Sequence, residues 1–364
     1  MPEQIRRDHR IAEAEAVARL RALQPDPATS AKITAAALRL AQRVRASPPA
    51  ALSAESFLRH YGLSTKEGVA LMCVAEALLR IPDPDTADAL LREKLSAGQW
   101  GQGGGQGPED SWVASAADWA LMLTGTLARW HEAEEEPVAL LKRLAARLGE
   151  PVVRTAVRQA MRILASQFVI GETIAEAVTR GKAFDAYRFS YDMLGEAACS
   201  AEDAARYFDA YSQAIRGTPA GDGVSVKLSA LHPRFEEAKR ARVFAELVPR
   251  VAELARIAMD RDVSLTLDAE ESERLELTLD LFDELNRRYP VGLAVQAYQK
   301  RALAVCDWLI GLRRKMSIRL VKGAYWDGEI KRAQQLGMTD YPVFTRKPAT
   351  DVSYVACALR RPRR

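Results

Sequence analysis

Ser317-Ile-Arg-Leu-Val-Lys-Gly-Ala-Tyr-Trp-Asp327 is the stretch that decides the fold of this chain. Ile318, Leu320 and the β-branched Val321 predict a short buried strand. That strand runs into a dense group of charged and aromatic side chains: Arg319, Lys322, Gly323, Tyr325 and Trp326. In a parallel β/α barrel the catalytic groups sit at the C-terminal ends of the strands, and this stretch has that layout.

Working outward, the same layout recurs upstream. Strands are predicted over residues 188–194, 223–229, 263–268, 291–296 and 316–321. Helices are predicted near 201–216, 236–259, 272–288, 301–314 and 327–337. Repeated βα units favour a barrel over a doubly wound sheet, and no glycine-rich turn follows the first strand. The polar residues gather at the strand ends: Asp192 and Glu196, Lys227, Asp268 with Glu270 and Glu271, Gln296 and Gln299, then Arg319 and Lys322. Five such groups in register predict a functional rim. Glu271, Glu273 and Arg274 are the exception, read as the solvated first turn of a helix.

The first half reads as helical to about residue 180. One helix is expected from Ile5 to Leu23, ended by Pro25 and Pro27, and a second over 30–46. Ser64 with Glu67 makes a capping box, a short helix covers about 86–96, and helices resume over 110–130 and 138–178. Trp112, Trp119 and Trp130 are expected in a core. The glycine-rich run 98–107 is a connector, because neither a preceding strand nor a Gly-Lys-Ser/Thr signature accompanies it. The domain reading is a helical arm over 1–50, an α-helical domain over 51–180 and a β/α barrel over 187–364. The fold class is α/β, a helical N-terminal half followed by an incomplete (β/α)8, TIM-type barrel with about five of eight strands.

Composition narrows the chemistry. The chain has 364 residues, 48% hydrophobic and 27% charged, with room for two or three domains. The net charge of +4 comes from Arg360, Arg361, Arg363 and Arg364; without them 48 basic residues face 48 acidic ones. No broad basic surface is expected, so nucleic acid is not an expected partner. Cys73, Cys199, Cys306 and Cys357 are far apart, without a CxxC pair, and read as free thiols of a reducing cytoplasm. No metal site is expected, since His9, His60, His131 and His232 are not at ligand spacing. Lys227 fits a Schiff-base lysine, and the rim equally fits a flavin or another conjugated cofactor.

Several stretches carry a resemblance that separates those readings. They are residues 191–198 (Tyr-Asp-Met-Leu-Gly-Glu-Ala-Ala), 226–234, 267–271, 296–301 and 319–326, continued through 341–347 and 350–357. Together they resemble the proline dehydrogenase barrel of proline utilization A, a family of bacterial bifunctional flavoenzymes. Residues 167–177 look like the segment leading into that barrel, and the helical half looks like the family's arm and α-domain.

The resemblance implies FAD-dependent oxidation of L-proline to Δ1-pyrroline-5-carboxylate, with hydride passing from proline C5 to flavin N5 and electrons passing to membrane quinone. It implies catalytic roles for Glu196, Lys227, Asp268, Arg319 and Tyr325. Lys227 would hold the substrate carboxylate, Tyr325 would form an aromatic wall, and Glu196 would ion-pair in the pocket. Gln296, Arg319, Val321, Lys322, Gly323, Trp326, Thr345, Arg346 and Lys347 would bind the flavin. It further implies a cytoplasmic protein with peripheral contact to the inner membrane, homo-oligomeric at full length.

Three departures set further expectations. The chain begins at the arm, without the family's ribbon–helix–helix module, and no aldehyde dehydrogenase domain follows. The barrel stops after five strands, before the helix that carries the family's carboxylate-clamping arginines. The end, residues 358–364, looks like a prematurely ended or frame-shifted reading. The chain as written is therefore expected to retain little FAD, turn over proline negligibly and aggregate through its open sheet edges. A non-catalytic fragment and an aldolase-like barrel using Lys227 are the alternatives.

Overall fold

The computed structural model describes residues 2–47, 86, 169–184, 186–195, 197–314 and 316–360. The chain divides into two compact units, Met1–Ala35 with Thr173–Arg364, and Ala36–Glu172. The capping box at Ser64, the glycine-rich connector, the three tryptophans and the helices expected between residues 51 and 168 lie outside the described residues, apart from Thr86.

The first unit is built on a parallel sheet. Its strands are β1 (Ser190–Asp192), β2 (Gly223–Val226), β3 (Ser264–Leu267), β4 (Val291–Gln296) and β5 (Ile318–Val321), and they lie side by side in chain order. The helices, in chain order, are α1 (Glu3–Arg7), α2 (Glu13–Arg21), α3 (Pro27–Ala46), α4 (Ile174–Gly181), α5 (Ala201–Gly217) and α6 (Leu228–Leu231). They continue with α7 (Arg240–Asp260), α8 (Leu275–Asn286), α9 (Ala302–Gly311), α10 (Trp326–Gln335) and α11 (Lys347–Leu359). Each pair of neighbouring strands is parallel and joined through a helical crossover, the repeating unit of a β/α barrel. Ser200 and Asp203 start α5 with a reciprocal capping box.

Strand periodicity sorts the side chains. Val224 and Val226, Leu265 and Leu267, and Val291, Leu293 and Val295 alternate onto one face. There they join Val243, Leu247 and Leu254 of α7, Leu281 and Phe282 of α8, and Val305 and Leu309 of α9 in one core. The other face carries Ser190, Ser225, Arg319 and, one step beyond β3, Asp268, which are hydrogen-bonded to one another. A flat sheet would place β1 about 19 Å from β5 at the usual strand spacing, far beyond the reach of one arginine. Arg319 of β5 nevertheless donates to Ser190 of β1 at 2.7 Å. The sheet is therefore strongly curled, an incomplete barrel whose concave face is small and polar.

Three boundaries depart from the sequence reading. The helix expected from Ile5 to Leu23 is broken between α1 and α2, where Lys300 Nζ donates to the Ile11 carbonyl at 3.0 Å and holds the chain out of helix. The strand expected to reach Ser229 stops at Val226, because residues 228–231 turn as α6 while the Ser229 amide donates to Glu270 at 3.0 Å. The strand expected over 188–194 keeps only three residues, since the Phe189 amide is taken by Asp222 and Gly195 turns at φ +110°. The helix α11, which begins at Lys347, has no counterpart in the sequence reading.

The N-terminal segment packs against the far side of this unit. Ala16 and Leu20 of α2 meet Phe344 and Ala356. Arg6 pairs with Glu276 at 3.0 Å, and Lys300 also reaches Asp340 at 2.8 Å. No helix among the described residues is long and apolar enough to cross a membrane.

Candidate active site

Four of the five strands deliver one connected group of charges: β1, β2 and β3 at their C-terminal ends, and β5 through Arg319 within the strand. Lys227, one residue past β2, donates to Asp192 of β1 at 3.0 Å and lies 3.4 Å from Asp268, one residue past β3. Arg319 donates to the other oxygen of Asp268 at 2.9 Å, and to Ser190 and Ser225 at 2.7 Å each. Two cations and two carboxylates thus alternate across the concave face. Asp268 is almost fully buried, while Arg319 keeps about a third of its side chain open.

The electrostatics follow from this order. Burial pulls the Lys227 ammonium down, but hydrogen bonding and charge from Asp192, helped by Asp268, outweigh it and hold the pKa above the usual lysine value. Asp268 is raised above the usual carboxylate range, first by burial and then by the charge of Asp192, against the pull of Lys227 and Arg319. A Schiff-base lysine needs its amine deprotonated, which desolvation or a neighbouring cation achieves. Lys227 has the opposite surroundings, so its geometry favours a fixed cation.

Around this centre the other expected residues fall into distinct places. The Gln296 amide is held at both ends, donating to the Glu270 carbonyl at 2.8 Å and accepting from the Ala324 amide at 3.1 Å. It fixes the turn after β5. Gly323 in that turn has φ +139°, and a Cβ there would press into the Tyr298 ring, so any side chain at this position is strained. Val321 accepts the Ala297 amide through its carbonyl, at 2.8 Å. Tyr325 is half-buried at the start of α10, and Trp326 is 42% exposed with its indole N–H donating to the Phe344 carbonyl at 2.9 Å.

A second group lies along α11. Lys322 and Lys347 both pair with Asp351, at 2.5 and 2.8 Å, and Arg346 is exposed beside them. Their hydrogen bonds and charges hold the Asp351 carboxyl below its usual range. Thr345 donates through its amide and its hydroxyl to Glu13 of α2, at 3.0 and 2.9 Å. Glu196 lies outside the described residues. Glu270, counted on the rim from sequence, is instead a buried tie that accepts from Ser229 and Arg274. Glu273, read as solvated, is exposed and pairs at the surface with Arg332.

Sequence reasoning did not single out Ser190, Ser225, Asp351 or Glu13. The two serines carried a usable signal, since Ser190 stands two residues before Asp192 and Ser225 two before Lys227, on the same strand faces. Asp351 and Glu13 carried none, because only the tertiary fold brings them to Lys322 and Thr345.

Residues 175–361 match the family model described as proline dehydrogenase. The chain belongs to the proline dehydrogenase family. The bifunctional protein PutA of Klebsiella aerogenes is 49% identical over 327 residues, covering 84% of this chain and 25% of that protein. The Rhizobium meliloti protein of the same description is 47% identical over 321 residues. Among solved structures, Bradyrhizobium japonicum proline utilization A aligns over 96% of this chain and 36% of its own, at 45% identity and TM-score 0.64. The chain spans about a quarter of the length of these curated relatives.

Residues 53–168 match a second family model, described as the DNA-binding domain of proline dehydrogenase. That description runs against the expectation, drawn from balanced charge, that nucleic acid is no partner. The matched residues, apart from Thr86, lie outside the described part of the structure.

Proposed function

We propose that the concave rim is the redox site of an FAD-dependent proline dehydrogenase, which oxidises L-proline to Δ1-pyrroline-5-carboxylate and passes the electrons to a membrane quinone. The alternating chain Asp192–Lys227–Asp268–Arg319 carries this reading. The residues fit a flavin by the chemistry of their donors. Arg319, Lys322, Arg346 and Lys347 present exposed or half-exposed cations, and Trp326 an exposed aromatic face, to a flat group bearing a pyrophosphate.

Lys227 supplies a fixed positive charge for the proline carboxylate, with Asp192 and Asp268 keeping it protonated and in place. Asp268 also sits between the two cations and offsets their mutual repulsion. Arg319, clamped by Asp268 and two serine hydroxyls, offers a preorganised cation for negative charge that develops during oxidation. Tyr325 and Trp326 would wall the site against water. A bound flavin would supply the acceptor for the hydride leaving proline C5. A cytoplasmic protein in peripheral contact with the inner membrane, homo-oligomeric at full length, accords with this chemistry.

The test is anaerobic flavin bleaching by L-proline at saturating FAD, in wild type and Lys227→Ala. The expected result is a larger increase in the proline concentration needed than decrease in the limiting rate, because carboxylate binding is shared by ground and transition states. Loss of the limiting rate with unchanged proline dependence would move Lys227 to acid–base or covalent work. Borohydride trapping of a carbonyl compound on Lys227 would support the aldolase-like alternative.

A further inference from the structure

We propose that Cys306 and Cys357 form a dithiol that a peroxide converts to a disulfide, fastening α11 to α9. Both cysteines are free, and both are at most 5% exposed. Cys306 stands mid-way along α9 and Cys357 near the end of α11, two helices that pack together. Both lie inside the core that backs β4, close enough for each thiol to perturb the other's titration. The end of α11 is already clamped to the middle of α9 close by, where Arg360 pairs with Asp307 at 3.0 Å. The proposed activity uses neither cysteine.

The pair is asymmetric. The hydrogen bond from Cys306, with a further one from Ser353, holds the Cys357 thiol below its ordinary range despite burial. Cys306 is pushed up, first by that same hydrogen bond and then by burial. Either thiol can attack first with the other resolving, and the order that starts at Cys357 runs through its thiolate. The Cys357 thiolate attacks one oxygen of hydrogen peroxide, breaking the O–O bond and giving a sulfenic acid and hydroxide. Cys306 sulfur then attacks the sulfenyl sulfur; its proton and the departing hydroxyl leave as water, and the S–S bond forms. Two electrons pass from the thiols to the peroxide. The consequence is positional: α11 carries Lys347 and Asp351, the latter pairing Lys322 at the end of β5, so the bond would anchor that side of the rim.

The experiment oxidises the reduced full chain with hydrogen peroxide, blocks remaining thiols under denaturing conditions, and maps the peptides by mass spectrometry. The expected product is a cross-linked pair containing Cys306 and Cys357, lighter by two hydrogens and reversed by dithiothreitol. In Cys306→Ser, a sulfenic-acid trap such as dimedone should label Cys357. Recovery of both cysteines as blocked thiols while exposed Cys199 is oxidised would overturn the proposal. So would cross-links joining either cysteine only to Cys199 or Cys73. Peptide mapping of the wild-type chain decides the matter even if the variant does not fold.

Discussion

The two faces of the curled sheet are made from the same strands and do opposite work. The convex face is aliphatic and sealed beneath α7, α8 and α9, with Val226, Leu267 and Leu293 wholly buried. The concave face holds serine, aspartate and arginine, joined by hydrogen bonds rather than packed hydrocarbon. A period of two residues separates stability from chemistry within every strand. That separation also bears on the open side of the barrel. The strands' apolar faces are not left bare, for they pack against helices. The face lacking a wall is the polar one, which water can solvate.

Substitutions that differ only in face should therefore differ widely in cost. Leu293→Ala on the convex side should destabilise the unit by about 3 kcal/mol in denaturant titration, the usual loss for a buried leucine. Ser225→Ala on the concave side should cost about 1 kcal/mol, since Arg319 keeps its bonds to Ser190 and Asp268. Equal costs would break the comparison. Gly323→Ala, at the rim, should fall between them at about 2 kcal/mol, because it meets a positive φ and the Tyr298 ring together.

The docked N-terminal segment sharpens the contrast through pH. Burial, then the charges of Arg301 and Arg10, lower the His9 pKa from 6.5 to about 3, and its buried Nε2 finds no hydrogen-bond partner among the described residues. The unfolded chain binds this proton below about pH 6.5 while the folded one does not. Stability should thus fall as pH drops from 6.5 towards 3, by at most about 1.4 kcal/mol per pH unit from this group. His9→Gln should flatten that slope, and an unchanged slope would remove His9 from the account.

The smallest effect belongs to the sheet edge. Ile318 of β5 is 38% exposed, so Ile318→Lys should change stability by less than about 1 kcal/mol while reducing aggregation in light scattering. Unchanged aggregation would show that the edge is not the sticky surface.

Much of this architecture is legible in the sequence, for identifiable reasons. β4 is legible to the residue because five apolar or small residues, Val291 to Val295, run from a Tyr-Pro break to the polar Gln296. The crossover helices followed from apolar periodicity, to within a few residues. Of the rim, Lys227 and Asp268 are legible because each is a charge at the end of an apolar run, and Arg319 because it is a charge set inside one. What stayed hidden was partnership. Nothing local tells Gln296 to spend both ends of its amide on the backbone, or sends Glu13 across the chain to Thr345. Those pairings depend on contacts between residues up to 332 positions apart.

The central claim is that the concave face of this chain is a flavin site organised by Arg319. Its most direct test is an equilibrium titration of FAD into the full chain, followed by flavin fluorescence, in wild type and Arg319→Met. Against the sequence expectation that the chain retains little FAD, the account predicts saturable binding in wild type and a loss of about tenfold or more in the variant, as for removal of a charge-assisted anchor worth about 1.5–3 kcal/mol. Equal affinity in both proteins, or no saturable binding by a folded wild-type chain, would contradict it.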